Sequence, residues 1–319
     1  MKRKNLLQST ETAAVQKLPV QLKELIPYYS QGQGLETLQK LQCGTQPVFS
    51  GRGLGLLAAH YAARLCRQAG VRAAAYSVDE INTYPTGLFS EASTFVVFES
   101  VGDSKIVLPS NHLPLIHIGP DVIEDGSASR LLNFSNPQLA ELELINSMSV
   151  AWLLVRHLTG VWDGSEAAML QVVRQRAQLM AEGCEPYLAR CRDLLAYSPR
   201  WILLGGEEQN EALRFTASLL AKKANRLLPW LLYEEFAENY QHLIDPDAAI
   251  IHLRSADNPD VDTLLDHAEE KGAVVVEVTE GFFAPHRSQK NMGQGVEQNL
   301  SPLLGCMAGY LLALSDRIA

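Results

Sequence analysis

Twice along the chain a short apolar run ends in a glycine turn and opens an alanine- and leucine-rich amphipathic stretch. The first copy reads PVFSGRGLG at 47–55 and the second WILLGGEEQ at 201–209. Continuous apolar runs of this length predict strands buried on both faces, the kind found in parallel sheets. The stretches behind them predict helices over about 54–69 and 208–224. In the first helix Ala58, Ala59, Ala62 and Ala63 permit close packing on a sheet, and Gly70 supplies the stop. Further strands are expected at 71–76, 93–100 (STFVVFES), 105–108 and 113–118, with Pro109 and Pro114 as breaks. In the second copy they are expected at 227–232, 248–253 and 273–278, with a helix at 259–270. Residues 11–42 predict a helix with Leu18, Leu22, Leu25 and Ile26 on one stripe. Helices over 137–160 and 164–196 separate the copies, and one over 296–316 closes the chain. Alternating strands and helices predict an α/β fold of two domains, each a parallel sheet flanked by helices in a flavodoxin-like three-layer sandwich. The expected division is 1–160, N-terminal helices and first sheet domain, and 161–319, linking helix and second sheet domain.

A duplicated strand–turn–helix unit builds small-molecule sites on the loops at its strand ends. Gly51-Arg52-Gly53 lacks the third glycine of a dinucleotide fingerprint, and neither a Walker loop nor a nucleophile elbow is present, so no cofactor is expected. Composition narrows the ligand class. The 319 residues carry a net charge of −9, which disfavours a nucleic-acid backbone as partner. The basic start Met1-Lys2-Arg3-Lys4 is followed by no apolar stretch, so a solvated tail rather than a secretory signal is expected. The most apolar helix, 144–162, is interrupted by Arg156 and His157, so no membrane span is expected. Cys43, Cys66, Cys184, Cys191 and Cys306 form no CxxC pair, and the expectation is reduced thiols in a cytoplasmic protein. His112 and His117 straddle Pro114 with no metal-binding spacing, so no metal is expected.

The order of Gly-Arg-Gly, helix and strand, then Asp79-Glu80 with Tyr84 downstream, then FESVGDS at 98–104, resembles the first domain of the tandem sugar isomerase (SIS) family. YEEFAEN at 233–239 is similar to the Glu-Glu-Phe-x-His-Gly segment of the second domain, and NLSPLLGCMAGYLLALS at 299–315 to the closing helix. The family includes the isomerase domain of glucosamine–fructose-6-phosphate aminotransferase. The resemblance implies two SIS domains, a homodimer with sites near the subunit interface, and a sugar phosphate as ligand. It also implies aldose–ketose or amino-sugar phosphate isomerase, or deglycase-type, activity. The family's Ser-x-Ser-Gly-x-Thr phosphate loop maps onto Glu99, Ser100, Val101, Gly102, Asp103 and Ser104. Gly102 and Ser104 fit, whereas Glu99 and Val101 replace the serines and set a carboxylate near the phosphate position. The prolines at 109, 114 and 120 argue against the helix that follows this loop in the family.

The implied substrate-binding set is Gly51, Arg52, Gly53, Glu80, Glu99, Ser100, Gly102, Asp103 and Ser104. In the second half Glu234, Glu235 and Phe236 fit, but Glu238 and Asn239 replace His-Gly, and SLLAKKA at 218–224 has no carboxylate where the family places its catalytic glutamate. Glu235 and Glu238 are the candidate acid–base pair; the competing reading makes them solvated carboxylates. Ser100 and Ser104 either donate to a ligand or cap a turn. Arg52 either neutralises an anionic ligand or pairs with Glu99. Glu80 is either a site residue or a loop cap. The segment 281–291, with His286, is a surface loop or a flap. Three functions stay open: a phosphosugar-binding isomerase, a non-catalytic SIS protein that senses a ligand or assists assembly, and an enzyme with a shifted site and a less anionic substrate.

Overall fold

The computed structural model describes residues 2–41, 46–83, 94–100, 114–120, 129–134, 142–255, 258–279, 282–285 and 296–316. The candidates Gly102, Asp103 and Ser104, the expected strand at 105–108, and Tyr84, His112 and His286 lie outside them. The chain divides into two compact units, one of residues 17–174 and the other of 1–16 with 175–319.

In the unit of residues 17–174, β1 (Pro47–Gly51), β2 (Ala74–Ser77), β3 (Thr94–Phe98), β4 (Leu115–Gly119) and β5 (Ser129–Leu132) form one sheet in the order β2-β1-β3-β4-β5. All four pairings are parallel. The other unit winds the same way. β6 (Arg200–Gly205), β7 (Trp230–Leu232), β8 (Ala248–Arg254), β9 (Val274–Thr279) and β10 (Phe282–Pro285) lie in the order β10-β9-β8-β6-β7. Four of these strands run parallel, and β10 adds to the edge antiparallel to β9. The duplication expected from the sequence is therefore present, as is the α/β class.

The central strands β1, β3, β6 and β8 are almost wholly buried, which accounts for their unbroken apolar runs. On one face of the second sheet Ile202, Leu204, Ile250 and Val275 pack with Phe236, Val261, Leu265 and Ala268. In the first sheet Val48, Phe95 and Val97 pack with Val78 and Ile81. The edges depart from expectation for a related reason. An edge strand needs no continuous apolar run, so β5 (SRLL) and β10 (FFAP) carried no strand signal; 282–285 is a strand where a loop or flap was expected. β7 begins at Trp230 rather than 227, and Leu227 is 89% exposed. The N-terminal helix also differs from the single span expected over 11–42. It splits into α1 (Lys2–Ser30) and α2 (Gln33–Lys40), with extended backbone at Gly32 between them.

The helices that follow the glycine turns pack at close range. α3 (Gly53–Gln68) lies on β1 and β3 so tightly that a Cβ on Gly55 would stand 2.6 Å from the Phe98 carbonyl oxygen. In the other unit α7 (Asn210–Ala224) meets α10 (Ser301–Asp316) through Gly305 and Gly309, the latter facing Thr216. Gly309→Ala should lower stability by about 1–3 kcal/mol through overpacking. Adding Thr216→Ala should recover part of that loss, as read from denaturant midpoints. α4 (Val78–Thr83), α5 (Glu143–Leu158), α6 (Glu166–Leu195), the single turn α8 (Tyr233–Glu235) and α9 (Pro259–Glu270) complete the elements used below.

Candidate functional site

With the order 2-1-3-4-5, each sheet reverses its winding between its first and third strands, and open α/β sheets bind ligands in the crevice outside that point. In the first sheet the point lies between the C-terminal ends of β1 and β3, in register at Gly51 and Phe98. Gly51 must be glycine, since its Cβ would fall 2.4 Å from the Gly55 carbonyl carbon. Gly53 sits at φ +49°, a left-handed geometry that glycine adopts without strain, and opens α3. Backbone N–H groups of a 16-residue helix thus meet two strand ends, an arrangement suited to an anion. Ser100 is half-buried directly behind β3.

The charged candidates have protein partners. Arg52 Nη2 lies 3.3 Å from Asp79 Oδ1. Glu99 reaches along the strand ends, with Oε1 2.8 Å from His117 Nδ1 on β4 and Oε2 3.0 Å from Arg130 Nη2 on β5. The contacts that hold the Glu99 carboxylate are thus to β4 and β5, which goes against the second of the two alternatives for Arg52, a pairing with Glu99. Burial raises the Glu99 carboxyl, but the hydrogen bonds and charges of His117 and Arg130 outweigh it and hold it below the usual carboxylate value. Glu99 therefore stabilises the folded state above its unfolded pKa, and this stabilisation is lost as pH falls through the lower folded value. Unfolding free energies measured from pH 6 to pH 3 should lose part of their acid dependence in Glu99→Gln. Glu80 makes a capping box: its carboxylate accepts from Ser77 N–H at 2.6 Å while its own N–H donates to Ser77 Oγ at 3.1 Å.

The second unit repeats these devices with other side chains. Glu235, exposed, accepts from Leu232 N–H at 3.3 Å, as Glu80 does from the end of β2. Glu238 is exposed in the following turn. Two residues of this segment turn inward, Phe236 into the core of the second sheet and Tyr233 towards β8. The Tyr233 hydroxyl is 2.7 Å from His252 Nε2 on β8, and His252 Nδ1 lies 3.5 Å from Glu277 Oε1 on β9. His252 and Glu277 are adjacent in register and each is 1% exposed. Arg254 holds Glu277 at 2.9 Å and also pairs with Asp262 of α9, while Ser255 donates to Glu208. Burial, reinforced by Glu208 and Glu277 and opposed by Arg254, drives the Tyr233 hydroxyl well above the usual phenol value, so it holds its proton. Register makes Arg254 the counterpart of Glu99, and Glu277 that of His117. The same two positions thus carry a carboxylate and an imidazole in one sheet, a guanidinium and a carboxylate in the other.

Tyr233 also lines a cleft of about 490 Å³ between the 233–243 segment and α9, with Glu234, Gln241, Asn258, Asp260 and Thr263. Sequence reasoning had passed over Tyr233, His252 and Glu277. The signal was one His and one Glu interrupting otherwise apolar strand runs, AAIIHLR and VVVEVT. Among the described residues no group of three or more His, Cys, Asp or Glu is placed to hold a metal, and no helix is long and apolar enough to cross a membrane. Cys66 and Cys306 are buried and form no disulfide among the described residues; Cys43 and the side chains of Cys184 and Cys191 lie outside the described set.

No protein-family model and no curated protein sequence matches the chain. Solved structures do match in fold. A candidate phosphosugar isomerase from Silicibacter pomeroyi DSS-3 superposes with a TM-score of 0.78 at 13% identity, over 96% of this chain and 97% of that one. The C-terminal domain of glucosamine-fructose-6-phosphate aminotransferase from Francisella tularensis gives 0.71 at 13% identity, over 97% and 95%. Tagatose-6-phosphate ketose/aldose isomerase from Escherichia coli gives 0.69 at 14% identity, over 97% and 93%. The resemblance to tandem SIS proteins therefore holds for the fold across nearly the full length.

Proposed function

We propose that this chain binds a phosphorylated sugar, or a related carbohydrate derivative, at the C-terminal end of its first sheet. The observation that carries the reading is the convergence at the β1–β3 switch point, where Gly51 and Gly55 bring both strand ends onto the first turn of α3. Gly51, Arg52, Gly53, Glu80, Glu99 and Ser100 belong to this proposed site, together with Gly102, Asp103 and Ser104. Arg130 already pairs with Glu99 and His117 hydrogen-bonds to it, which removes much of the like-charge repulsion its sequence position suggests. A homodimer, a cytoplasmic location and the domain division 1–160 and 161–319 form part of the same proposal.

Whether the bound sugar is turned over divides two readings. Aldose–ketose or amino-sugar isomerisation needs a base beside the sugar carbons, with Glu235 and Glu238 as its candidates. A non-catalytic sensor or assembly partner is favoured by one observation: the Glu235 carboxylate caps its own helical turn, as Glu80 does in the first unit.

Fructose 6-phosphate, glucosamine 6-phosphate and tagatose 6-phosphate should raise the unfolding temperature, because a ligand at 100 times its Kd stabilises the native state by about 2.7 kcal/mol. The unphosphorylated sugars should shift it less. A panel with no phosphate-dependent shift would overturn the binding reading. Among ligands that do bind, deuterium entering carbon 1 or 2 from heavy water identifies an isomerase, and binding without exchange identifies a sensor.

A further inference from the structure

Inside the first sheet one hydroxyl is buried without a hydrogen bond. Ser50 is the fourth residue of β1, it is 0% exposed, and its Oγ has no partner among the described residues. Buried polar groups are rarely left so, because an unmade hydrogen bond costs stability. The second sheet shows that the fold does not need a polar group at this position. Gly51 ends β1 and Gly205 ends β6, so the counterpart of Ser50 is Leu204, which belongs to the apolar core with Phe236. Val48 on β1 and Val97 beside Ser50 on β3 are core residues as well.

Register fixes where the hydroxyl points. Ser50 is level with Val97 of β3, Val97 with His117 of β4, and His117 with Arg130 of β5. Residues level with one another in a parallel sheet share a face, as do residues two apart on one strand. Glu99 extends β3 by its N–H bond to the Ile118 carbonyl, so Ser50 lies on the face that carries Glu99, His117 and Arg130. Gly51 points the other way, towards the first turn of α3. Arg130 adds a second unused group on this row: its Nη2 holds Glu99, but its Nε has no partner among the described residues. The wall across from α3 therefore keeps hydrogen-bonding capacity that the protein itself does not fill.

We infer that Ser50 is a specificity-determining residue of the phosphosugar site, its hydroxyl pairing with one hydroxyl of the bound sugar while the phosphate rests on the opening turn of α3. The inference rests on the first-sheet reading proposed above. Ser50 and Glu99 stand on adjacent strands of one face, so the sugar meets a hydroxyl on one strand and a carboxylate acceptor on the next. Tyr76, level with Ser50 on β2, is half-buried, and its ring draws aside as the sugar enters. A site built to pair a substrate hydroxyl rejects the analogue that lacks it, because the buried group is then left alone. The stability lost to the unpaired hydroxyl in the free chain thus becomes selectivity in the complex.

Calorimetric titration of the full chain with fructose 6-phosphate, glucosamine 6-phosphate, glucose 6-phosphate and the 1-, 2-, 3- and 4-deoxy analogues of the last, alongside thermal unfolding without ligand, tests this. Ser50→Ala should raise the ligand-free unfolding temperature by about 2–4 °C, since an unpaired polar atom leaves the core. The same change should weaken binding of the phosphosugars about tenfold, the size of one hydrogen bond. The deoxy analogue that lacks the partner hydroxyl should bind native protein and Ser50→Ala alike. A merely structural serine would give the gain in stability with affinity unchanged, and that result would overturn the inference. So would a lower unfolding temperature in Ser50→Ala, or an equal loss of affinity for the parent sugar and every deoxy analogue. Native protein that binds none of the phosphosugars fails the first-sheet reading itself, whereas binding that Ser50→Ala leaves intact fails only the role of Ser50.

Discussion

Replacing Gly51 with alanine should destabilise the unit of residues 17–174 by about 3 kcal/mol, the upper end of what overpacking produces. The added Cβ would lie 2.4 Å from the Gly55 carbonyl carbon, 2.6 Å from its oxygen and 2.7 Å from Leu56 N. All three are backbone atoms in the first turn of α3, so no side-chain rotation relieves the clash. Gly55 has little room to yield towards β3, because the position a Cβ would take on it is already 2.6 Å from the Phe98 carbonyl oxygen. The helix must lift off both strand ends, and the proposed ligand site opens with it. Phosphosugar affinity should therefore fall along with stability. Gly53 provides the control. Nothing lies within 4 Å of its Cβ direction, and only its left-handed φ of +49° opposes substitution. Gly53→Ala should cost about 1–2 kcal/mol, and Gly53→Asn less. Chemical denaturation of the three variants, monitored in parallel, gives the comparison.

The second large effect is expected at Arg254. Its guanidinium joins Glu277, which is 1% exposed, to Asp262. Removing one partner of a buried ion pair leaves an uncompensated charge, and the typical loss is about 3–5 kcal/mol. Arg254→Ala should fall in that range. Glu277→Gln in the Arg254→Ala background should return much of the loss, since a neutral amide replaces the stranded carboxylate. A double-mutant cycle on unfolding free energies measures the coupling. If the two changes simply add, the pair is not the structural anchor described above. Arg254 also fixes the carboxylate behind His252, so the cycle bears on how rigidly the Tyr233 chain is held.

The duplicated core was legible because its physics is periodic. Strands buried on both faces must be apolar throughout, and PVFSG, TFVVF, RWILLG and AAIIHLR each announce themselves. Glycine turns are equally readable, since a helix on a strand end leaves no room for a Cβ. Edges were not legible: β5 and β10 have one neighbouring strand each, so SRLL and FFAP need no apolar pattern. The site was legible only in part. Gly51, Arg52, Gly53, Glu99 and Ser100 do gather at the ends of β1 and β3. Charge partners depend on register across β4 and β5, and a linear reading cannot supply register. That is why the sequence leaves Arg52 open between an anionic ligand and Glu99, whereas in the structure Asp79 lies against Arg52 and His117 and Arg130 hold Glu99. In the second half Glu235 and Glu238 stand out in the sequence because YEEFAEN resembles a family segment. Tyr233 beside them enters the network because β7 ends one residue earlier and turns its side chain towards His252.

The central claim is that a sugar phosphate rests on the first sheet with its phosphate against the opening turn of α3. A crystal structure of the complex with fructose 6-phosphate tests it most directly. The account predicts the phosphate within hydrogen-bonding distance of backbone N–H groups at Gly53 and Leu54 and of the Ser100 hydroxyl, with Glu99 still held by His117 and Arg130. A phosphate bound at another place, or a crevice between β1 and β3 filled by the protein's own side chains, would contradict it.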